Sequence, residues 1–319
     1  MLVHKPTLCA CRRPPGLRTV DVVAPLEHSP FHLLVEIDPP DGSPSGSARL
    51  QAQVEALAPV ASTFLVPDNH LGRPAVSSLV VAADIDARPT IACLNARDRN
   101  LLGVRRDLLT ARHLGVDELL LLRGDAPTVG GRAGELGVRD LVAECERAGL
   151  RYGVTGGGGR LPDWKRGAER VVVQVAWSVE DLRRRAELLS SDLPVYAGVL
   201  VVASAAMARR LGDRVPELAP PSWLVDALER DRLAGVHAAI ELVEAIEDSG
   251  AFAGVHLVPG ARSAEVAEAL VRSRADRSSV RAPTTVPVAC PDRTRAAGTS
   301  PPLVDADVPA DDPNLRRSA

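Results

Sequence analysis

The chain has 319 residues, of which 45% are hydrophobic and only 3% aromatic, and its formal net charge is −3. This hydrophobic content supports a sizeable core and excludes a disordered protein for the body of the chain. The small net charge argues against a general nucleic-acid binder, which normally carries a basic face. No apolar run reaches the roughly 18–20 residues that span a bilayer, and the N-terminus lacks the apolar region of a signal peptide. We therefore expect no nucleic-acid partner and no membrane partner.

The cysteines are few and odd in number, which argues against a disulfide framework and fits a reducing cytoplasm. They are Cys9, Cys11, Cys93, Cys145 and Cys290. Cys9 and Cys11 lie near His4, but their spacing matches no common zinc pattern, so we predict no metal site.

Eight short aliphatic runs alternate with longer amphipathic segments, and this alternation is typical of β/α units. The runs cover 32–37, 62–67, 89–94, 118–124, 151–155, 170–176, 195–201 and 252–258. The helical segments between and after them cover 48–58, 74–84, 100–114, 137–148, 179–190, 204–212, 222–248 and 263–273. The connection after the fifth run is short and rich in glycine instead. The segment 222–248 is either an added outer helix, an internally packed one or a contact in a homo-oligomer.

Strands joined by helices pair in parallel through right-handed crossovers. Eight such units in about 245 residues match the size of a closed (β/α)8 TIM barrel, which is the fold we predict for residues 31–275. An open doubly wound sheet is the alternative, but no G-x-G-x-x-G follows the first run. Residues 1–30 are predicted to be a loosely attached arm. Residues 276–319 are rich in Arg, Asp, Pro, Ser and Thr, which predicts a disordered tail.

The first predicted active-site residue is Glu36, at the end of the first strand. Active sites of β/α barrels lie at the C-terminal ends of the strands. Pro39 and Pro40 end the first strand, and the alternation with Val35 and Ile37 places Glu36 on the interior face near the mouth. Loss of solvation there would raise the pKa of the carboxyl group and make it a candidate general acid. A solvated loop glutamate is the alternative.

Three further strand ends carry polar candidates. After the fourth run, Gly124 would let a ligand approach the backbone, and Asp125 can accept hydrogen bonds from a planar heterocycle, although Arg-Gly-Asp is also common in loops. Gln174 lies inside the sixth run, where a buried amide needs either protein partners or a ligand. After the third run, Asp98 or Asn100 would cap the next helix, and the helix N-terminus could help to hold an anion.

These residues stand in an order that resembles the methylenetetrahydrofolate reductase family across about residues 32–273. The start Val-Glu-Ile-Asp-Pro-Pro is similar to the family's Phe-Glu-Phe-x-Pro-Pro, whose Glu is the catalytic acid, and this role falls on Glu36. The run of Leu122, Arg123, Gly124 and Asp125, continued by Ala-Pro, matches the family's Leu-Arg-Gly-Asp-x-Pro. The Asp of that family motif lies beside the pterin and the flavin.

Later motifs extend the resemblance. Gln174 falls on the family's Thr-Gln, a folate contact; Gly198 falls on its Pro-Gly-Ile and His256 on its Phe-His-Phe. The family's proteins are β/α barrels that carry FAD. NADH or NADPH reduces the flavin, which then reduces 5,10-methylenetetrahydrofolate to 5-methyltetrahydrofolate, a step of one-carbon metabolism. The resemblance therefore implies a folate substrate and these cofactors.

The departures from the family pattern concentrate where the flavin is bound. The family's Ala-Ala-Tyr-Pro-Glu-x-His-Pro after the fifth strand is replaced by a glycine run at 156–159, followed by a shortened segment. The amides of Gly156 and Gly157 could surround a diphosphate, or the run could be a stub that remains after loss of the flavin site. Three alternatives therefore stay open: direct hydride transfer without flavin, a non-catalytic folate-binding or partner-binding barrel, and a methyl-transfer component.

Overall fold

A computed structural model describes residues 31–131 and 133–281 of the chain. Within these ranges eight parallel strands close into a barrel in sequence order. The strands are β1 His32–Glu36, β2 Thr63–Val66, β3 Thr90–Asn95, β4 Glu118–Leu122, β5 Arg151–Thr155, β6 Val171–Val173, β7 Val195–Leu200 and β8 Gly254–Val258. Strand β8 pairs with β1, which completes the ring. The predicted (β/α)8 barrel is confirmed.

Helices follow the strands and surround the barrel. They are α1 Pro44–Leu57, α2 Ser78–Asp84, α3 Leu101–Leu114, α4 Val138–Ala148, α5 Val179–Leu189, α6 Ala205–Arg214, α7 Ser222–Arg230, α8 Ala234–Ser249 and α9 Ser263–Arg281. No α-helix lies between β5 and β6; a short 3₁₀ turn, Asp163–Lys165, fills that connection. Among the described residues, no helix combines the length and apolar character that crossing a bilayer requires.

The segment predicted as one helix over 222–248 is two helices. Asp231 has extended backbone angles, and its side-chain oxygen accepts a hydrogen bond from the Leu233 amide at 2.8 Å. This local side-chain bond replaces a helical one and ends α7. Helix α8 then buries one face, which includes Val236, Ile240 and Val243, against the barrel, so this part of the segment packs internally.

The strands alternate between two cores, as the two-residue period requires. One core lies between the strands and the helices. The other fills the barrel interior with Leu34, Leu65, Ile91, Cys93, Leu120, Val172 and Tyr196. At the N-terminal end of the barrel, Arg170 closes the floor by a bidentate ion pair with Glu118 (2.6 and 2.8 Å) and a 3.1 Å bond to the Tyr196 hydroxyl. The apolar interior and this ionic floor leave the C-terminal mouth as the place for a site.

The barrel was predicted to span residues 31–275, and the structure describes the chain on both sides of residue 275. Helix α9 continues past residue 275 to Arg281. The guanidinium group of Arg277 pairs with Asp248 of α8, with one N–O distance of 3.3 Å. Residues 276–281 therefore belong to the barrel's last helix. The arm at 1–30, with Cys9 and Cys11, and the rest of the tail, with Cys290, lie outside the described residues.

Candidate functional site

A buried carboxylate–imidazole pair lies at the mouth of the barrel. Glu36 is the last residue of β1, and His256 lies in the neighbouring strand β8, opposite Leu34. Leu34 faces the interior core. Glu36 lies two positions further along the strand and His256 lies directly across from Leu34, so both also face inward. Glu36 Oε2 and His256 Nε2 are 3.1 Å apart, and the two side chains are only 11% and 14% exposed. The predicted interior position of Glu36 is confirmed.

The electrostatics of Glu36 differ from the prediction. Burial raises the pKa of its carboxyl group, but the hydrogen bond and charge of His256, with a smaller contribution from His70, outweigh burial and hold that pKa below its usual value of 4.5. The prediction that burial alone would raise the pKa is therefore wrong, because a partner from β8 compensates the desolvation. An ionised Glu36 can only accept, so the proton in this hydrogen bond belongs to Nε2 of His256.

Asp125 lies on the same face of the barrel but is bonded to a different element. Its carboxylate is exposed, and Oδ2 accepts a hydrogen bond of 2.9 Å from the Leu71 amide in the loop between β2 and α2. The contact of Asp125 with a pterin or flavin stays a prediction.

The residues before Asp125 have structural neighbours of their own. Leu122 ends β4 and packs, half-buried, on the interior core, whereas Arg123 is exposed. Gly124 has a φ of +82°, and a Cβ atom there would lie 2.7 Å from Cβ of Asn95. Asn95 therefore fills the space on the side of Gly124 where a Cβ atom would project, and the approach of a ligand to the Gly124 backbone stays a prediction.

Gln174 lies beyond the end of β6 and is exposed, so the prediction of a buried amide within the strand is wrong. The aliphatic run continues past the strand because Val175 and Ala176 pack beneath the surface after β6 has ended at Val173. The Gln174 side-chain oxygen accepts a 3.0 Å hydrogen bond from the Val175 amide. The residue remains on the C-terminal face, where a ligand could reach its amide group.

The glycine run after β5 is partly committed to the fold. The Gly156 amide donates to the Val172 carbonyl at 2.8 Å, which extends the pairing of β5 with β6. Lys165 closes the segment by donating from Nζ to the Thr155 carbonyl at 2.6 Å, and Leu161 is buried. Only Gly157 and its two successors have open space around them. Gly156 and Gly157 therefore do not fit a flavin diphosphate in the way that was predicted, since the Gly156 amide is not available.

A buried polar network at the ends of β2 and β3 was not predicted. Arg99 pairs with Asp68 at 2.6 Å, Asp98 at 2.7 Å and Asp107 at 2.8 Å. Desolvation raises the pKa of Asp68 despite the nearby guanidinium group. Asn95 also donates to Asp68, from its backbone at 3.0 Å and its side chain at 2.9 Å.

Of the two predicted helix caps, only Asn100 serves as one. Its side chain accepts from the Gly103 amide at 2.9 Å, whereas Asp98 belongs to the network. The sequence did indicate this network: Arg-Asp-Arg-Asn carries alternating charges, and capping of a helix alone does not require them.

Among the residues that the structure describes, no group of three or more His, Cys, Asp or Glu side chains is arranged to hold a metal ion. The thiols of Cys93 and Cys145 are both buried, and burial raises the pKa of each.

Comparison with known proteins supports the fold. No family model and no curated protein sequence matches the chain. One solved structure is described as an uncharacterized protein from Clostridium thermocellum that binds two copies of 5-methyl-5,6,7,8-tetrahydrofolic acid. It shares 13% sequence identity, has a TM-score of 0.55, and the match covers 76% of this chain and 95% of that one. A tryptophan synthase α-subunit from Pyrococcus furiosus matches with 14% identity, a TM-score of 0.44 and coverages of 76% and 95%.

Proposed function

We propose that the C-terminal mouth of this barrel binds a reduced folate and that the protein reduces 5,10-methylenetetrahydrofolate to 5-methyltetrahydrofolate with NADH or NADPH. The observation that carries the proposal is the buried Glu36–His256 pair at the mouth. A folate bound by a chain of similar fold, and the order of motifs along this sequence, both favour a folate as the ligand.

The pair suits the proton that this reaction consumes. Protonation of N10 opens the imidazolidine ring and leaves an iminium at N5, which then accepts a hydride on its methylene carbon. An imidazolium at His256 holds the proton on Nε2, and Glu36 relays it to N10, so His256 returns to the neutral form. The hydride leaves C4 of the reduced nicotinamide, which becomes oxidised. Protons and electrons then balance in one turnover, and a positioned acid of this kind contributes about 10²–10⁴-fold to the rate.

We propose that the hydride passes directly from the nicotinamide to the folate. A flavin would supply an intermediate carrier of the hydride, as the family resemblance implies. The engaged amide of Gly156 and the closure of the segment by Lys165 argue against a diphosphate at this loop. Absorption spectra of the purified protein, before and after addition of FAD, test this point. Stoichiometric flavin binding would contradict direct transfer and restore the flavoenzyme mechanism.

A substitution of Glu36 tests the reductase function. We expect Glu36→Gln to keep the affinity for 5-methyltetrahydrofolate, measured by calorimetry, within about threefold, because the amide preserves size and polarity. We expect the rate of NADH oxidation by methylenetetrahydrofolate to fall by about 10² or more, because the proton relay is lost. Glu187→Gln, at an exposed position of α5, is the matched control and should keep both properties. Wild-type turnover in Glu36→Gln would exclude the relay.

A second function, folate binding without reduction, is favoured by one observation. The pKa of Glu36 is lowered in the free protein, so the carboxylate is ionised at neutral pH and is a poor acid until it receives a proton. A folate-binding barrel, or a component that transfers the methyl group of 5-methyltetrahydrofolate, would need no such proton. Tight folate binding without any oxidation of NADH or NADPH would establish this second function and overturn the first.

A further inference from the structure

The loop between β2 and α2 runs along the rim of the barrel mouth and is bonded to the residues that follow β4. Strand β3 lies between β2 and β4 in the ring, yet this loop, which follows β2, is bonded to the residues that follow β4. Residues 68–73, which we call the β2 loop, therefore pass over the C-terminal end of β3. Asn69 contributes a bond on the way, from its side-chain amide to Asp98 at 2.5 Å.

Two groups of hydrogen bonds hold the β2 loop to the residues that follow β4. Oδ2 of Asp125 accepts from the Leu71 amide at 2.9 Å. The Gly72 carbonyl accepts from the backbone and the hydroxyl of Thr128 at 2.8 and 2.9 Å. The contact is so close that a Cβ atom on Gly72 would lie 1.8 Å from the Ala126 carbonyl oxygen. Such a loop is part of the fixed wall of the mouth.

The backbone of the β2 loop is strained, which indicates that its neighbours impose its conformation. Asn69 and Leu71 have φ values of 49° and 56°, and Gly72 has 68°. A leucine rarely adopts such angles, and strain of this kind persists only where surrounding contacts over-determine it, often at ligand sites. The Asp125 carboxylate, which follows β4, accepts the hydrogen bond of the Leu71 amide.

The conformation of the β2 loop leaves an apolar side chain exposed at the mouth that holds the charged pair. Leu71 is 50% exposed, although it is a large hydrophobic residue. Its neighbour His70 is close enough for its charge to act on Glu36. Ligand pockets are mostly apolar with a few placed polar groups, and a half-exposed leucine at the same mouth as a buried carboxylate supplies that combination.

We propose that Asp125 is a positioning residue that holds the β2 loop through the Leu71 amide, and that the Leu71 side chain packs on the flat heterocycle of the bound ligand. The second half of this proposal rests on the folate-binding function proposed above. It gives Asp125 a role that differs from the direct pterin or flavin contact implied by the family resemblance. Leu71 is then a ligand contact that no sequence motif marked.

Three single variants of the full chain separate these roles. Asp125→Ala removes the acceptor for the Leu71 amide. Asp125→Asn keeps an oxygen acceptor at that position, but its NH₂ group would oppose the donors of a pterin ring. Leu71→Gly removes the side chain while favouring the observed φ, since glycine adopts positive φ without strain.

Hydrogen exchange of the ligand-free protein tests the positioning role. We expect the amides of residues 68–73 to exchange at least about tenfold faster in Asp125→Ala, because the local opening of the loop becomes easier. Exchange in Asp125→Asn should stay at the wild-type rate, and all variants should keep the wild-type melting temperature within about 2 °C, since these contacts are local and exposed. Wild-type exchange in Asp125→Ala would overturn the positioning role.

Binding of 5-methyltetrahydrofolate, measured by calorimetry, tests the ligand contact. We expect about tenfold weaker binding for Asp125→Ala and for Leu71→Gly, through loss of preorganisation and of apolar contact respectively. Asp125→Asn should bind within about twofold of wild type, since the loop remains held. If Asp125→Asn is as weak as Asp125→Ala, Asp125 contacts the ligand itself, and the proposal that it acts on the ligand only through the β2 loop is overturned. If Leu71→Gly binds like wild type, the contact role is overturned.

The wild-type protein separates failure of this inference from failure of the proposed function. If wild type does not bind 5-methyltetrahydrofolate, the folate function fails and the ligand role of Leu71 fails with it. The exchange experiment involves no ligand, so it still decides whether Asp125 positions the β2 loop.

Discussion

The ionisation of Glu36 is coupled to His256, and this coupling has a consequence for stability that can be measured without any ligand. The pKa of Glu36 in the folded protein lies below 4.5, its usual value, because the hydrogen bond and charge of His256 outweigh burial. A carboxyl group with a lowered folded-state pKa stabilises the fold above its unfolded-state pKa and loses that contribution as the pH falls through the folded value.

We therefore expect the difference in unfolding free energy between wild type and Glu36→Gln to be largest above about pH 4.5 and to shrink as the pH falls below it. Urea denaturation over a pH series measures this difference. The same pair of proteins in a His256→Gln background should show a much weaker pH dependence, because the cause of the shift is removed. An unchanged pH dependence in that background would show that His256 is not the cause.

At the level of single residues, the sequence predicts positions better than partners. The prolines after β1 and the alternation around Glu36 sufficed to place its side chain inside the mouth. The pairing with His256 requires β1 and β8 to be neighbours, which only closure of the barrel produces. Gln174 was misplaced because an aliphatic run does not show where the strand inside it ends. The Asp125–Leu71 bond joins positions 54 residues apart, and no local pattern announces it.

Among the elements, β2 and β3 are joined at their ends by a single arginine that serves three carboxylates. The Arg99 side chain is 13% exposed and lies within 2.8 Å of oxygens of Asp68, Asp98 and Asp107. Burial alone would lower the pKa of this guanidinium group, but the charge and hydrogen bond of Asp68 raise it further than burial lowers it. Without the arginine, the carboxylates would face one another across a partly buried space.

We expect Arg99→Leu to lower the free energy of unfolding by about 3–5 kcal/mol, because removal of one partner leaves uncompensated buried charge. Arg106→Leu is the matched control: Arg106 also pairs with Asp107, at 2.8 Å, but is 74% exposed. It should cost less than about 1 kcal/mol, as exposed ion pairs do. Urea denaturation compares the two variants. The Arg99→Leu defect should decrease at acidic pH, where Asp68 becomes neutral; equal losses in both variants would contradict this account.

Helix ends were harder to predict than helices, and each error has a local cause. Helix α1 begins at Pro44, with Ser43 as its cap, because a serine acceptor and a proline at the first helical position favour a start there. The apolar period alone had suggested residue 48. The break between α7 and α8 depends on the side chain of Asp231, and none of the three residues between the two helices is a glycine or a proline. Strands, by contrast, were found because buried parallel strands are continuous aliphatic runs.

For the molecule as a whole, closure of the barrel follows from the count of β/α units, but the length of its last helix does not. Polar composition after residue 275 suggested a disordered tail, yet α9 continues to Arg281. Its first half buries Val266 and Leu270 in the core, whereas the part after Leu270 is held by charged side chains. Arg274 donates to the Val60 carbonyl at 3.3 Å, next to β2, and Arg277 pairs with Asp248 and Glu247 of α8. An apolar period cannot reveal the end of a helix that is anchored in this way.

Truncation of the chain tests where the barrel ends. A chain that ends after residue 281 should melt at the wild-type temperature, whereas a chain that ends after residue 275 loses Arg277 and the last turns of α9. Loss of a partly exposed ion-pair cluster of this size costs about 1 kcal/mol, which lowers the melting temperature of a domain this large by about 2–4 °C. Differential scanning calorimetry measures both chains, and Arg277→Ala in the longer chain should reproduce most of the decrease. Identical melting temperatures for the two truncated chains would place the end of the barrel at residue 275. A lower melting temperature for the shorter chain alone would show that the end of α9 is part of the folded barrel.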